Sequence, residues 1–200
     1  MRTTSEETQR NDRKILDAAI RIFTEKGYAE VNMQDIADEL GVTRGPLYYR
    51  YRTKADLFEA ALRQSGEDQL AEYRRLMTQD KPFLDKIRDI LMYGTRNMLV
   101  EQYSMTALAV QTTSGQSALE IYQYYMQSFQ QLLGEAVQQA ISAGELRPDT
   151  DLHQLFITLS VYARGIYATV RCTDLLGSQE DIHACVEDAV FLIRARCGAQ

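Results

Sequence analysis

Between Thr43 and Lys54 the chain places four cations, Arg44, Arg50, Arg52 and Lys54, with no acid among them. Guanidinium and ammonium groups hold phosphate oxygens, and a guanidinium also matches the paired acceptors of guanine, so the set suits a nucleic-acid surface. Standing alone, the segment also admits the lesser reading of a solvated charged loop. The wider distribution favours the first reading. Residues 1–54 hold ten Lys/Arg against nine Asp/Glu, a balance of +1, and residues 55–200 hold twelve against nineteen, or −7, which together give the net −6. An acidic body with a small basic surface repels the phosphate backbone everywhere but at that surface, as a site-selective DNA binder requires.

Other chemistry is poorly represented. The two histidines, His153 and His183, fall in separate helical segments, and there is no nucleophile elbow, phosphate loop or H-E-x-x-H pattern. His183 and Cys185 are two apart, so a helix points them in different directions. No enzyme activity, catalytic residue, metal or cofactor is expected. Cys172, Cys185 and Cys197 are odd in number and widely spaced, which fits small buried hydrophobes in a reducing cytoplasm. Arg171 beside Cys172 leaves a thiol-based redox sensor as an alternative. The opening MRTTSEETQRNDRK lacks an apolar signal core, and no stretch approaches the roughly 18 apolar residues of a membrane span. The expectation is a soluble cytoplasmic protein with no membrane partner.

The elements that must position the basic segment are helices, and the fold class is read as all-α, with about nine helices and no credible sheet. A first helix spans Asp12 to Lys26, its stripe of Ile15, Leu16, Ala19, Ile22 and Phe23 recurring at helical steps before Gly27 stops it. Asn32 with Asp35 forms a capping box for a short helix that turns Ile36, Ala37 and Leu40 inward and ends at Gly41. Thr43 caps the next, to about Tyr51, and Pro46 is tolerated in its first turn. Thr53 with Asp56 opens a long helix to Met77. Five more follow: Phe83 to Leu99, Ser104 to Gln111, Ser117 to Ala143, Asp151 to Cys172, and Gln179 to Cys197. Residues 1–11 are expected as a mobile arm, 12–57 as a first domain and 58–200 as a second.

From Gln34 to Lys54, QDIADELGVTRGPLYYRYRTK reads as a helix-turn-helix. Ala37 is small where the second helix crosses, Gly41 allows the sharp turn, and Ile36, Leu40, Val42 and Leu47 form the wedge that fixes the crossing angle. The longer run RKILDAAIRIFTEKGYAEVNMQDIADELGVTRGPLYYRYRTKADLFEAAL resembles the N-terminal domain of the TetR family of transcriptional regulators. The matching features are Ile15-Leu16-x-Ala18-Ala19, Phe23, Gly27, Ile36-Ala37, Gly41-Val42 and Leu47-Tyr48 to Lys54. Beyond this run the chain is similar to the family only in architecture, a helical bundle with a GELRPDTD turn before the penultimate helix.

The resemblance implies phosphate contacts from Tyr48 and Lys54 and a groove-facing set of Thr43, Arg44, Pro46, Tyr49 and Arg50, with Gln34 and Gly45 beside them in the DNA-binding surface. Pro46 stands where the family commonly has a small hydroxyl residue, and Tyr51 where a buried Phe is usual, so its hydroxyl needs a partner. The implied function is a repressor that binds a palindromic operator in double-stranded DNA as a homodimer and is released by a small-molecule effector. A family fold acting as a protein-interaction module is the alternative beside the thiol sensor.

The last two helices are apolar over more than one face, which calls for a partner inside the subunit and one outside. The dimer interface is placed on Leu155, Leu159, Ile166, Val186, Val190 and Ile193. A mostly apolar effector pocket with a few polar anchors is assigned to Tyr93, Arg96, Asn97, Tyr103, Met105, Tyr122, Tyr125, Met126, Phe129 and Tyr162.

Overall fold

A computed structural model describes residues 5–95, 115–172 and 178–199. Eight helices run through them: α1 (Ser5–Lys26), α2 (Met33–Glu39), α3 (Arg44–Arg50), α4 (Lys54–Met77), α5 (Phe83–Gly94), α6 (Gly115–Ser142), α7 (Leu152–Cys172) and α8 (Gln179–Cys197). The fold is all-α. Extended pairing among the described residues is confined to a single antiparallel bridge, Leu146 with Gly198. The expected helix from Ser104 to Gln111, and the end of that from Phe83 to Leu99, lie outside the described residues. No helix among the described residues is long and apolar enough to cross a membrane.

Two expectations about the N-terminal half need correction. Helix α1 starts at Ser5, not Asp12, so the described part of the expected arm is helical. Its Glu, Gln and Arg residues are good helix formers even without an apolar stripe. The expected boundary after residue 57 moves as well: of the described residues, 5–68 with 115–123 gather into one compact unit, and 69–95, 124–172 and 178–199 into a second. The early turns of α4 belong to the first unit because Leu57, Phe58, Ala61 and Leu62 are buried in it. Phe58 meets Phe23 edge-on at 5.0 Å and Tyr28 at 4.7 Å, and Arg13 reaches from α1 to both Asp68 oxygens at 3.1 and 2.6 Å.

In the second unit, Ile87 and Leu91 of α5, Leu133 and Val137 of α6, Leu155 and Leu159 of α7, and Val186 and Ile193 of α8 share one core. The start of α5 has Pro82 as cap without a side-chain bond, and Glu145 from the α6–α7 turn takes the Phe83 N–H at 2.6 Å instead. Arg88 ties α5 to α8, donating to Glu187 and to Asp85, with His183 3.7 Å from the same Glu187.

This charge cluster makes stability depend on pH. The Arg88 hydrogen bond holds the Glu187 carboxyl below the usual carboxylate range, against an opposing push from burial. A depressed folded value means a contribution that is fully present above the unfolded value near ~4.3 and lost as pH falls through the folded one. Arg88→Gln should therefore cost about 1 kcal/mol at neutral pH, a modest figure because the pair is solvent-screened, and the cost should vanish in acid. Urea titrations of both proteins across pH check this, and a difference independent of pH would refute it.

The residues assigned to the dimer interface are corrected by their burial. Leu155, Leu159, Ile166, Val186, Val190 and Ile193 are all at most 5% exposed within a single chain, so they pack inward. Exposed apolar side chains on the same two helices are Ile157 and Val161 of α7 and Phe191 and Leu192 of α8.

Candidate nucleic-acid interface and ligand cavity

Helices α2 and α3 are set at a fixed angle by a small apolar wedge. Ile36 and Ala37 of α2 and Leu47 of α3 are essentially inaccessible, while Leu40 is half-buried and Val42, expected in the wedge, is exposed. Val42 contributes through its backbone instead, donating its N–H to the Ala37 carbonyl at 3.0 Å. Gly41 turns the chain at φ +63°, a region closed to most side chains. Asn32 caps α2 from its side chain in a complete box with Asp35, and Thr53 with Asp56 does the same at the start of α4. Thr43 stands at the cap position of α3 without a side-chain bond.

With Leu47 turned inward, the rest of α3 faces out. Thr43, Arg44, Gly45, Pro46, Tyr48, Tyr49 and Arg50 are all exposed, and Tyr49 reaches 92%, an extreme for a ring with no internal partner. Each arginine is braced. Arg44 donates Nε to the Gln34 carbonyl oxygen, and Gln34 in turn donates to Asp38, so the half-buried Gln34 sits behind Arg44 as a support. Arg50 pairs with Asp12 of α1. Tyr51 finds its partners in the same place: burial raises its phenol above the ordinary value, Asp12 adds to this, and Arg50 opposes it through charge and a hydrogen bond.

Lys54 departs from the expected phosphate contact. Its ammonium donates to the backbone carbonyls of Tyr28 at 2.8 Å and Val31 at 2.9 Å, lies 3.4 Å from that of Ala29, and sits 4.4 Å over the Tyr28 ring. An ammonium has three donors, and the α1–α2 loop engages them. Reach of this kind, 26 residues back along the chain, leaves no mark in a local pattern.

The second unit contains a cavity between α4, α5, α6 and α7, lined by Tyr73, Ile90, Leu91, Gly94, Met126, Phe129, Leu159, Ser160, Ala163 and Arg164. Of the residues assigned to an effector pocket, Met126 and Phe129 line it, and Tyr93 packs edge-on to its wall residue Tyr73 at 5.8 Å. Tyr125 is buried, and Tyr122 belongs to the other unit. Tyr162 is corrected: it lines a surface groove on α7 and α8 with Val161, Gly165 and Cys185. Arg96, Asn97, Tyr103 and Met105 lie outside the described residues. Tyr73 and Arg164 were not foreseen. An arginine at helical spacing reads from sequence as a solvated face, and Tyr73 sits among charges in AEYRR.

The described thiols give the redox reading little support. Cys185 is half-buried and Cys197 buried, and burial pushes the Cys197 thiol above its ordinary value, away from the reactive thiolate.

Residues 15–61 match the family model described as bacterial regulatory proteins, tetR family. The HTH-type transcriptional regulator AcrR of Shigella flexneri is 33% identical over 105 residues, covering 50% of this chain and 47% of AcrR, so the chain matches about half the length of this curated relative. Two solved structures share the fold over nine-tenths or more of the chain. A putative transcriptional regulator from Saccharomonospora viridis in complex with choline aligns at TM-score 0.75 and 19% identity, covering 96% of this chain and 100% of its own. The regulator FadR from Bacillus subtilis in complex with stearoyl-CoA aligns at 0.68 and 17%, covering 90% and 96%. At such identities the likeness is one of fold.

Proposed function

We propose, starting from the match of residues 15–61 to the TetR family model, that the chain is a TetR-type repressor that grips a palindromic operator as a homodimer and lets go when a small molecule binds its second unit. The observation that carries this reading is the outward face of α3, where braced Arg44 and Arg50 flank the fully projected Tyr49 on a helix whose angle the Leu47 wedge fixes. A major groove admits one such helix, and its acceptors meet the guanidinium groups.

One helix-turn-helix reads too few base pairs for useful specificity, so two copies related by a two-fold axis read two half-sites. The surface that joins them is the exposed apolar one, Ile157 and Val161 on α7 with Phe191 and Leu192 on α8, in place of the buried positions. The effector cavity communicates through α4, a single helix that starts four residues beyond Arg50 at Lys54 and carries Tyr73 into the cavity wall. A ligand that favours the operator-incompetent arrangement shifts the population, and a tenfold loss of operator affinity needs about 1.4 kcal/mol of coupling. The related structures hold choline and stearoyl-CoA, ligands of opposite charge, so the shared fold does not select an effector class for this chain.

The test uses the full chain and a duplex from its own upstream region. Binding followed by fluorescence anisotropy should fall steeply with salt, as counterion release from several phosphates demands. Phe191→Asp should sediment as a monomer and lose at least about thirtyfold in operator affinity, the effect of removing a central interface anchor worth ~2 kcal/mol. A flat salt dependence, or a monomeric wild type that binds with full affinity, would reject the proposal.

A further inference from the structure

Helix α2 ends against its own dipole. Its last turn holds the acids Asp38 and Glu39 and no base, where the partial negative charge of the carbonyl end favours a cation. Glu39 is accounted for by Arg21 of α1, which donates to it at 2.8 Å. Asp38 is exposed and anionic beside the basic face of α3, so its charge also opposes the phosphate binding it stands next to. What it receives is the amide of Gln34, one turn back on the same face of α2.

That hydrogen bond fixes which way round the amide stands. With Nε2 given to the Asp38 carboxylate, Oε1 faces α3 and accepts the Nε–H of Arg44, ten residues on in the next helix. The reverse orientation would set the amide oxygen against the carboxylate and its N–H against the guanidinium N–H, so both partners demand the same one. With Nε engaged, the guanidinium keeps its two terminal Nη groups as an end-on fork, and a pair of parallel N–H donors is what the N7 and O6 of guanine accept. The other arginine of this face is held differently. Arg50 gives Nη2 itself to Asp12, so its fork is already in use within the chain.

We infer that Asp38 is a positioning residue for base selection: through Gln34 it holds the Arg44 fork toward guanine, so the operator half-site carries a G·C pair at Arg44 whose discrimination depends on an acid that contacts no base. This rests on the operator-binding reading above and names the base chemistry for it. Losing the carboxylate frees the amide to turn over, and a turned amide presents N–H to N–H and pushes the guanidinium out of line. A bare electrostatic role looks different, since an acid that only repels DNA lowers affinity for every sequence alike.

The experiment measures base selectivity and not affinity alone. A duplex from the chain's own upstream region is compared by fluorescence anisotropy with a series in which each G·C pair of the half-sites is exchanged symmetrically for A·T. At the pair that matters, 7-deazaguanine, which lacks the N7 acceptor, is a further probe. The full chain is used as wild type, Asp38→Asn, Asp38→Ala, Arg44→Ala and the double variant of Asp38→Ala with Arg44→Ala. Thermal melts accompany each, and deleting an acid from the carbonyl end of α2 should leave the melt no lower than that of the wild type. One G·C exchange should cost the wild type about tenfold or more in affinity, and 7-deazaguanine a large part of that. Arg44→Ala and Asp38→Ala should each erase this penalty at the same pair. Asp38→Asn, which keeps an acceptor oxygen for the amide, should retain most of it, and the double variant should lose no more discrimination than Arg44→Ala alone. A penalty that survives Asp38→Ala, one that Asp38→Asn loses as fully as Asp38→Ala, a further loss in the double variant, or a wild type indifferent to every G·C exchange would each overturn the inference. Those results leave salt-dependent operator binding, and so the repressor reading, standing, whereas a wild type that binds no upstream duplex sinks both.

Discussion

Arg44→Glu should abolish operator binding while leaving the protein folded. Arg44 is exposed in the first turn of α3 and donates to the side chain of Gln34, itself at the surface end of α2, so its replacement leaves the core intact. A surface substitution of this kind usually shifts stability by about 0.5 kcal/mol or less. In the groove the account is different. A bidentate contact to guanine is worth about 1–3 kcal/mol, and a symmetric pair makes it twice, so removal alone costs roughly 2–6 kcal/mol, or thirtyfold to more than ten-thousandfold. Glutamate adds repulsion from the phosphates on top. Gln34→Ala should act in the same direction and less strongly, because it takes away the brace and leaves the guanidinium. Anisotropy titrations with matched thermal melts decide the matter: unchanged operator affinity in Arg44→Glu, with a normal melt, would remove α3 as the reading helix.

How much of this was open to inspection in the sequence follows from the range over which each interaction acts. The helix-turn-helix was legible because its geometry is local. Asn32 and Asp35, Thr53 and Asp56, Ala37 beneath the crossing and Gly41 at the turn are all within a few residues of what they control. The limits of α8, Gln179–Cys197, were legible for the same reason. The faces of α7 and α8 were not. Leu155 and Val161, or Val190 and Phe191, are equally apolar on paper, and only the position of α5 decides which one turns inward. Periodicity reports a stripe and not the partner it meets. Arg164 was hidden because a charge on an amphipathic helix ordinarily marks the wet side. Here the side it marks is the wall of a cavity closed by three other helices.

Lys54 is the sharpest instance, because the chain's likeness to DNA-binding relatives assigns its ammonium to a phosphate and the structure occupies it elsewhere. Two carbonyls at 2.8 and 2.9 Å, a third at 3.4 Å and the face of Tyr28 hold the ammonium against the loop between α1 and α2. That contact fixes the start of α4 to the entry of α2, and so sets where the helix-turn-helix stands on its own support. Lys54→Met keeps the stem and deletes the charge. It should destabilise the protein by about 1.5–3 kcal/mol, the range for hydrogen bonds to a charged group, or a fall of roughly 3–12 °C in melting temperature at this chain length. Operator affinity should drop with it, by way of a displaced α2. The salt dependence tells the two roles apart. A lysine that neutralises a phosphate in each half-site takes about two from the slope of log affinity against log salt when it is removed, while a lysine that props up the loop takes nothing. The expected result is a lower melting temperature with an unchanged slope. A normal melt with a slope reduced by about two would return Lys54 to the phosphate backbone and leave the α1–α2 loop without its brace.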